Sequence, residues 1–128
     1  MTRTLLALPL ALLALAPADA ARGGPDVPDG PVAEIVTFRL APGVTDPAFL
    51  DAARATGALL DAEPGFLSRR LSRGADGSWT DHVVWAGRTE AEAAAARIMS
   101  APAARPFLMA IDPGSIAMRH EPILILAE

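Results

Sequence analysis

From Val32 to Leu40 the chain reads as a strand in which Val36, Phe38 and Leu40 fall on one face and Ile35, Thr37 and Arg39 on the other. Both sets are at least partly apolar, so both faces can be covered. Past Ala41-Pro42-Gly43 the period lengthens. Phe49, Ala53, Thr56 and Leu60 define one helical face, with Asp46 placed to cap it, Pro47 in its first turn and Pro64-Gly65 to stop it. Phe66 to Arg73 reads as a second strand, with one face made polar by Ser68, Arg70 and Ser72. The turn Gly74-Ala-Asp-Gly77 leads into a third strand, Trp79-Thr-Asp-His-Val-Val-Trp85, rich in β-branched and aromatic residues. Thr89 and Glu92 have capping-box spacing, and Ala91, Ala94, Ala95, Ile98 and Met99 then recur at helical intervals. So many alanines imply a helix lying close on its support. Ser100-Ala-Pro102 stops and restarts that helix, and Phe107, Leu108 and Ile111 belong to a second short piece. Ser115 to Leu126 reads as a fourth strand with a purely apolar end, Ile123 to Leu126.

The order is β-α-β-β-α-β. It predicts an α+β, ferredoxin-like fold over residues 32–126: a four-stranded antiparallel sheet with helices on one face. Two helices leave the other face open. With Ile35, Val83 and Trp85 assigned to it, that face calls for cover, and a second copy of the chain is the simplest candidate, so a homodimer is expected.

Residues 1–20 have the pattern of a signal peptide: Arg3, an apolar run from Leu5 to Leu15, and Ala18-Asp19-Ala20 before the cleavage point. The run is short for a membrane span, which takes about 20 apolar residues, so no stable anchor is expected after cleavage. Residues 21–31 are mostly Gly, Pro and Asp and are expected to form a flexible tail. The expected location is periplasmic or secreted. There is no Cys, which removes disulfides and thiolate chemistry from an oxidising compartment. There is also no Lys, Asn, Gln or Tyr, which excludes a Schiff-base lysine and a tyrosine acid. The net charge of −4 and the scattered arginines argue against a nucleic-acid partner.

Three stretches, Glu34-Ile-Val-Thr-Phe-Arg-Leu-Ala-Pro-Gly43, Glu63-Pro-Gly-Phe66 and Val84-Trp85 running into a helix, resemble the dimeric α/β-barrel superfamily, in particular its antibiotic-biosynthesis-monooxygenase-like domains. The resemblance implies a homodimer whose sheets face each other around a pocket. It also implies activities that include cofactor-free oxygenation of aromatic molecules. The heme-degrading branch of that superfamily uses an Asn, a Trp and a His. Trp85 matches the Trp, but Ile35 and the neighbourhood of Phe107 stand at the other two positions. The polyketide oxygenases rely on Asn, Trp and Tyr, of which this chain has only Trp.

The resemblance sets a register. With Trp85 facing the pocket, Asp81 and Val83 face it too, and Ile35, Thr37 and Arg39 line it from the first strand. Val36, Phe38, Val84 and Ala86 then pack under the helices. In this register Trp85 is either a ligand-stacking wall or a core residue. Arg39 and Asp81 are either a polar pair steering a phenolate-like substrate or an ion pair at the pocket mouth. His82 and His120 are the candidates for proton transfer, although the register turns His82 toward the helices and the adjacent Glu121 away from His120. Two isolated histidines make no metal site, and no cofactor is expected. Two functions stay open: a cofactor-independent monooxygenase-like enzyme for a small hydrophobic or aromatic molecule, or a non-catalytic ligand-binding or structural dimer module.

Overall fold

A computed structural model describes residues 30–127; the expected signal peptide and most of the expected tail lie outside the described residues. The elements are β1 (Val32–Phe38), α1 (Asp46–Ala55), α2 (Gly57–Asp61), β2 (Phe66–Arg73), β3 (Trp79–Trp85), α3 (Arg88–Ser100), α4 (Arg105–Met109) and β4 (Ala117–Pro122). Short 3-10 turns at Pro102–Ala104 and Pro113–Ser115 flank α4. The strands form one antiparallel sheet in the order β2-β3-β1-β4, with the helices on one face. This is the ferredoxin-like arrangement that the element order predicts.

Local details differ where competing groups win. Thr45, not Asp46, caps α1, its side chain accepting from the Ala48 N–H at 3.3 Å. The expected helical face is buried throughout, at Phe49, Ala53, Thr56 and Leu60, but the helix breaks at Thr56 into α1 and α2. The Thr89–Glu92 capping box does not form. The chain enters α3 through extended Gly87, and Glu92 instead accepts from Arg88 at 3.2 Å. The fourth strand ends at Pro122. Past it the Ile123 N–H donates to the Pro31 carbonyl at 2.9 Å, and Leu124 and Ile125 are exposed.

The core has two parts. Phe49 of α1 meets Phe38 edge-on at 5.6 Å, Trp79 edge-on at 4.9 Å and Phe107 of α4 in a stack at 5.4 Å. On the other side, Trp85 packs with Val32, Val83 and Leu60 against Ala91 and Ala94 of α3, both fully buried. A large indole opposite two alanines lets the helix approach the sheet closely, as the alanine pattern predicts.

This packing decides which way each strand faces, and it reverses the expected register of β3. Val32, Val36 and Phe38 of β1 pair with Trp85, Asp81 and Trp79 of β3, and these residues point toward the helices. Ile35 and Thr37 pair with His82 and Thr80 on the opposite face, as alternation along β1 requires. Trp85, Val83 and Asp81 therefore do not share a face with Ile35 and Thr37. Val84 and His82 belong to the face turned away from the helices, not to the helix side. The cause is volume: the alanine surface of α3 needs the larger side chains of β3 beneath it.

Candidate functional site

Between the sheet and the helices lies a cavity of about 190 Å³. Val36, Phe38 and Val83 contribute to its sheet side, while Ile98, Met99 and Leu108 contribute from the helical side. Its polar groups gather in two clusters.

The first cluster is built on Arg69. Its Nε donates to Asp81 Oδ1 at 2.9 Å and its Nη2 to Oδ2 at 2.8 Å, a bidentate ion pair with side chains only 15% and 11% exposed. Nη1 donates to Thr56 Oγ1 at 2.8 Å and to the Ala53 carbonyl at 3.1 Å. The Thr56 hydroxyl donates to the same carbonyl at 2.6 Å, which accounts for the helix break there. The guanidinium also lies 5.5 Å from the Phe107 ring centroid.

The second cluster joins three strands. Trp85 Nε1 donates to Glu34 Oε1 at 3.2 Å, and His120 Nε2 lies 3.2 Å from Glu34 Oε2. The side chains of His120 and Glu34 are 4% and 15% exposed. Glu34 faces His120 across β1 and β4 and Val83 across β1 and β3, so one row of the sheet runs Arg69, Val83, Glu34, His120.

Of the residues expected in a pocket, Asp81 and Val83 line this cavity; Ile35, Thr37, Arg39 and Trp85 do not. Arg39 lies near the surface, donating to the Asp76 carbonyl at 2.9 Å and to its carboxylate at 3.5 Å. The expected Arg39–Asp81 pair is thus replaced by Arg69–Asp81. Trp85 is 1% exposed, meets Phe66 edge-on at 5.8 Å, and is a core residue that holds Glu34. His82 is on the sheet face opposite the helices, away from the cavity, whereas His120 lines it.

Three site residues escaped the sequence reading. Glu34 had a signal, because alternation puts it on the face of Val36 and Phe38, where a carboxylate needs a partner. Arg69 shares a strand face with Leu71, opposite the polar row of Ser68, Arg70 and Ser72, and a β-bulge between Phe66 and Ser68 brings Phe66 to that same face; what the strand pattern does not carry is that Arg69 meets Asp81 and Thr56 there. Thr56 looked like one more position of an apolar helical face. Among the described residues no three acidic or histidine side chains gather as a metal-binding group.

No family model matches the chain, and no curated protein matches it significantly. Solved structures do. SnoaB, a cofactor-independent oxygenase from Streptomyces nogalater, is 17% identical; the match covers 77% of this chain and 96% of that one, with a TM-score of 0.53. A provisionally assigned antibiotic biosynthesis monooxygenase from Nitrosomonas europaea is 15% identical over 76% and 93% of the two chains, with a TM-score of 0.63. Another, from Chloroflexus aurantiacus, is 14% identical over 77% and 97%, with a TM-score of 0.58. The chain therefore has the ferredoxin-like protomer fold of the antibiotic-biosynthesis-monooxygenase-like domains.

Proposed function

We propose that the protein is an exported, dimeric, monooxygenase-like enzyme that takes a quinol or related hydroxyaromatic molecule into the cavity between sheet and helices. The observation that carries this reading is the cavity, apolar along its walls with polar groups gathered in two clusters. Such a site suits a flat ring with oxygen substituents. SnoaB, which shares the protomer fold, is described as a cofactor-independent oxygenase, and this supports the reaction class. In that chemistry the substrate supplies all four electrons: one oxygen atom of dioxygen enters a ring carbon, the other leaves as water, and a quinol ends as a hydroxyquinone. The polar groups that could touch the ring belong to Arg69, Asp81, Glu34 and His120, in place of Arg39 and Trp85.

Purified protein should take up dioxygen with at least one member of a quinol panel. Ala95→Phe, which fills the cavity from α3, should abolish uptake, while Arg54→Ala on the exposed side of α1 leaves it unchanged. Ring compounds that bind without oxygen uptake would assign a ligand-binding module instead.

The dimer is supported by the C-terminal run, not by Val83 and Trp85, which the helices already cover. Leu124 and Ile125 are 81% and 87% exposed, and burying such a side chain is worth about 1.5–3 kcal/mol. A two-fold partner would cover both runs at once. Sedimentation velocity should show a dimer that Leu124→Glu/Ile125→Glu weakens; a folded, soluble monomer at micromolar concentration overturns this part. Export predicts a mature chain beginning at Ala21, which mass spectrometry of the native protein reads directly.

A further inference from the structure

The two polar clusters differ in what they leave free. Arg69 is committed: four hydrogen bonds tie it to Asp81, Thr56 and the end of α1, so it holds the fold together at its end of the cavity. Among the described residues His120 is engaged at Nε2 alone, its Nδ1 has no hydrogen-bond partner, and the residue lines the cavity. We propose that Nδ1 of His120 is the proton acceptor of the cavity, that Glu34 and Trp85 are its positioning residues, and that the substrate is a phenol or enol whose acidic hydroxyl lies against β4. This rests on the cavity being the substrate site.

The tautomer follows from the contacts. Indole N–H can only donate, so Trp85 occupies one oxygen of Glu34 and leaves the other to accept from His120 Nε2–H. With its proton held at Nε2, the imidazole carries its lone pair on Nδ1. Trp85 cannot move to another partner, because it is wedged between Phe66 and the alanines of α3. The three residues come from β3, β1 and β4, so the sheet itself fixes their relative positions.

The step balances without a co-reactant. The substrate O–H bond breaks and an Nδ1–H bond forms. The bonding pair remains on the substrate as a phenolate or enolate, the electron-rich form that dioxygen attacks. The new imidazolium stands against the Glu34 carboxylate. The other ionisable groups facing the cavity are already paired: Arg69 with Asp81, and Glu92 with Arg88. Arg69 stands three strands along the same row of the sheet from His120, and its charge is balanced by the bidentate pair with Asp81.

The test uses 4-nitrophenol, whose colour reports ionisation without any oxygen chemistry. Full-length protein is titrated with it across pH. Bound nitrophenol should ionise about one unit below the free molecule, a roughly tenfold preference for phenolate. His120→Gln should remove the shift while binding persists, and added imidazole should restore it. Trp85→Phe and Glu34→Gln should each reduce the shift; if Glu34→Gln fails to fold, Trp85→Phe carries the positioning test. In oxygen uptake, His120→Gln should lose about 10²-fold or more. A wild-type protein that binds nitrophenol without favouring its ionisation, or a His120→Gln variant with an unchanged shift, overturns the base assignment and leaves the cavity as a binding site. If nitrophenol does not bind, and no quinol gives oxygen uptake, the cavity reading falls and this one with it.

Discussion

Arg69 and Asp81 close a bidentate ion pair of 2.8 and 2.9 Å across neighbouring strands, and the same guanidinium holds the broken end of α1. Removing one partner leaves a charge under the helices with nothing to balance it. Asp81→Ala should therefore destabilise the fold by about 3–4 kcal/mol, while Arg69→Met/Asp81→Leu together should recover a large part of that loss. Urea unfolding of the single and double variants measures the difference.

Two glycines should respond to alanine with opposite signs. Gly65 has φ +84°, and a Cβ there would lie 2.5 Å from Cγ and 2.8 Å from Cβ of Glu90. Gly65→Ala should cost about 1–3 kcal/mol. Gly57 begins α2 with open space where its Cβ would be, so Gly57→Ala should stabilise by about 0.5–1 kcal/mol. Thermal unfolding of both variants reads the contrast.

The approach of α3 to the sheet depends on Ala94, which is fully buried against the Trp85 side of the core. Ala94→Leu inserts bulk where none fits and should cost about 1–3 kcal/mol. It should also push α3 away from the sheet, so near-ultraviolet circular dichroism of the tryptophans should change with it.

Asp76 makes the stability of the β2–β3 turn depend on pH. Hydrogen bonds from the Ser78 hydroxyl and N–H hold its carboxyl below the ordinary value of 3.8, with Arg39 adding a smaller pull. A folded value below the unfolded one means that the carboxylate stabilises the turn above pH 3.8, and that this contribution is lost as pH falls through the folded value. Asp76→Asn should therefore be less stable than wild type at neutral pH, with the gap closing below pH 3.8 in melting temperatures followed across the acid range.

Much of the architecture was legible in local sequence, because local geometry controls it. Periods of two and of 3.6, turn glycines and prolines, and an alanine-rich helix suffice for the β-α-β-β-α-β order. β2 occupies the span expected between Pro64-Gly65 and the Gly74-Ala-Asp-Gly77 turn, β3 the span that its β-branched and aromatic residues mark out, and β1 alternates as its pattern requires. The cavity chemistry was not legible, for three physical reasons. β3 carries apolar side chains on both faces, so only packing against Ala91 and Ala94 decides that Trp85 points inward. Arg69 meets Asp81 and Thr56 only once β2 has paired with β3 and the end of α1 has packed on the sheet. His120 meets Glu34 from 86 residues away, a neighbour that exists only once β4 has paired with β1. Local sequence determined which elements form; the sheet's order, its pairing register and the close fit of α3 decided which charged groups share one cavity.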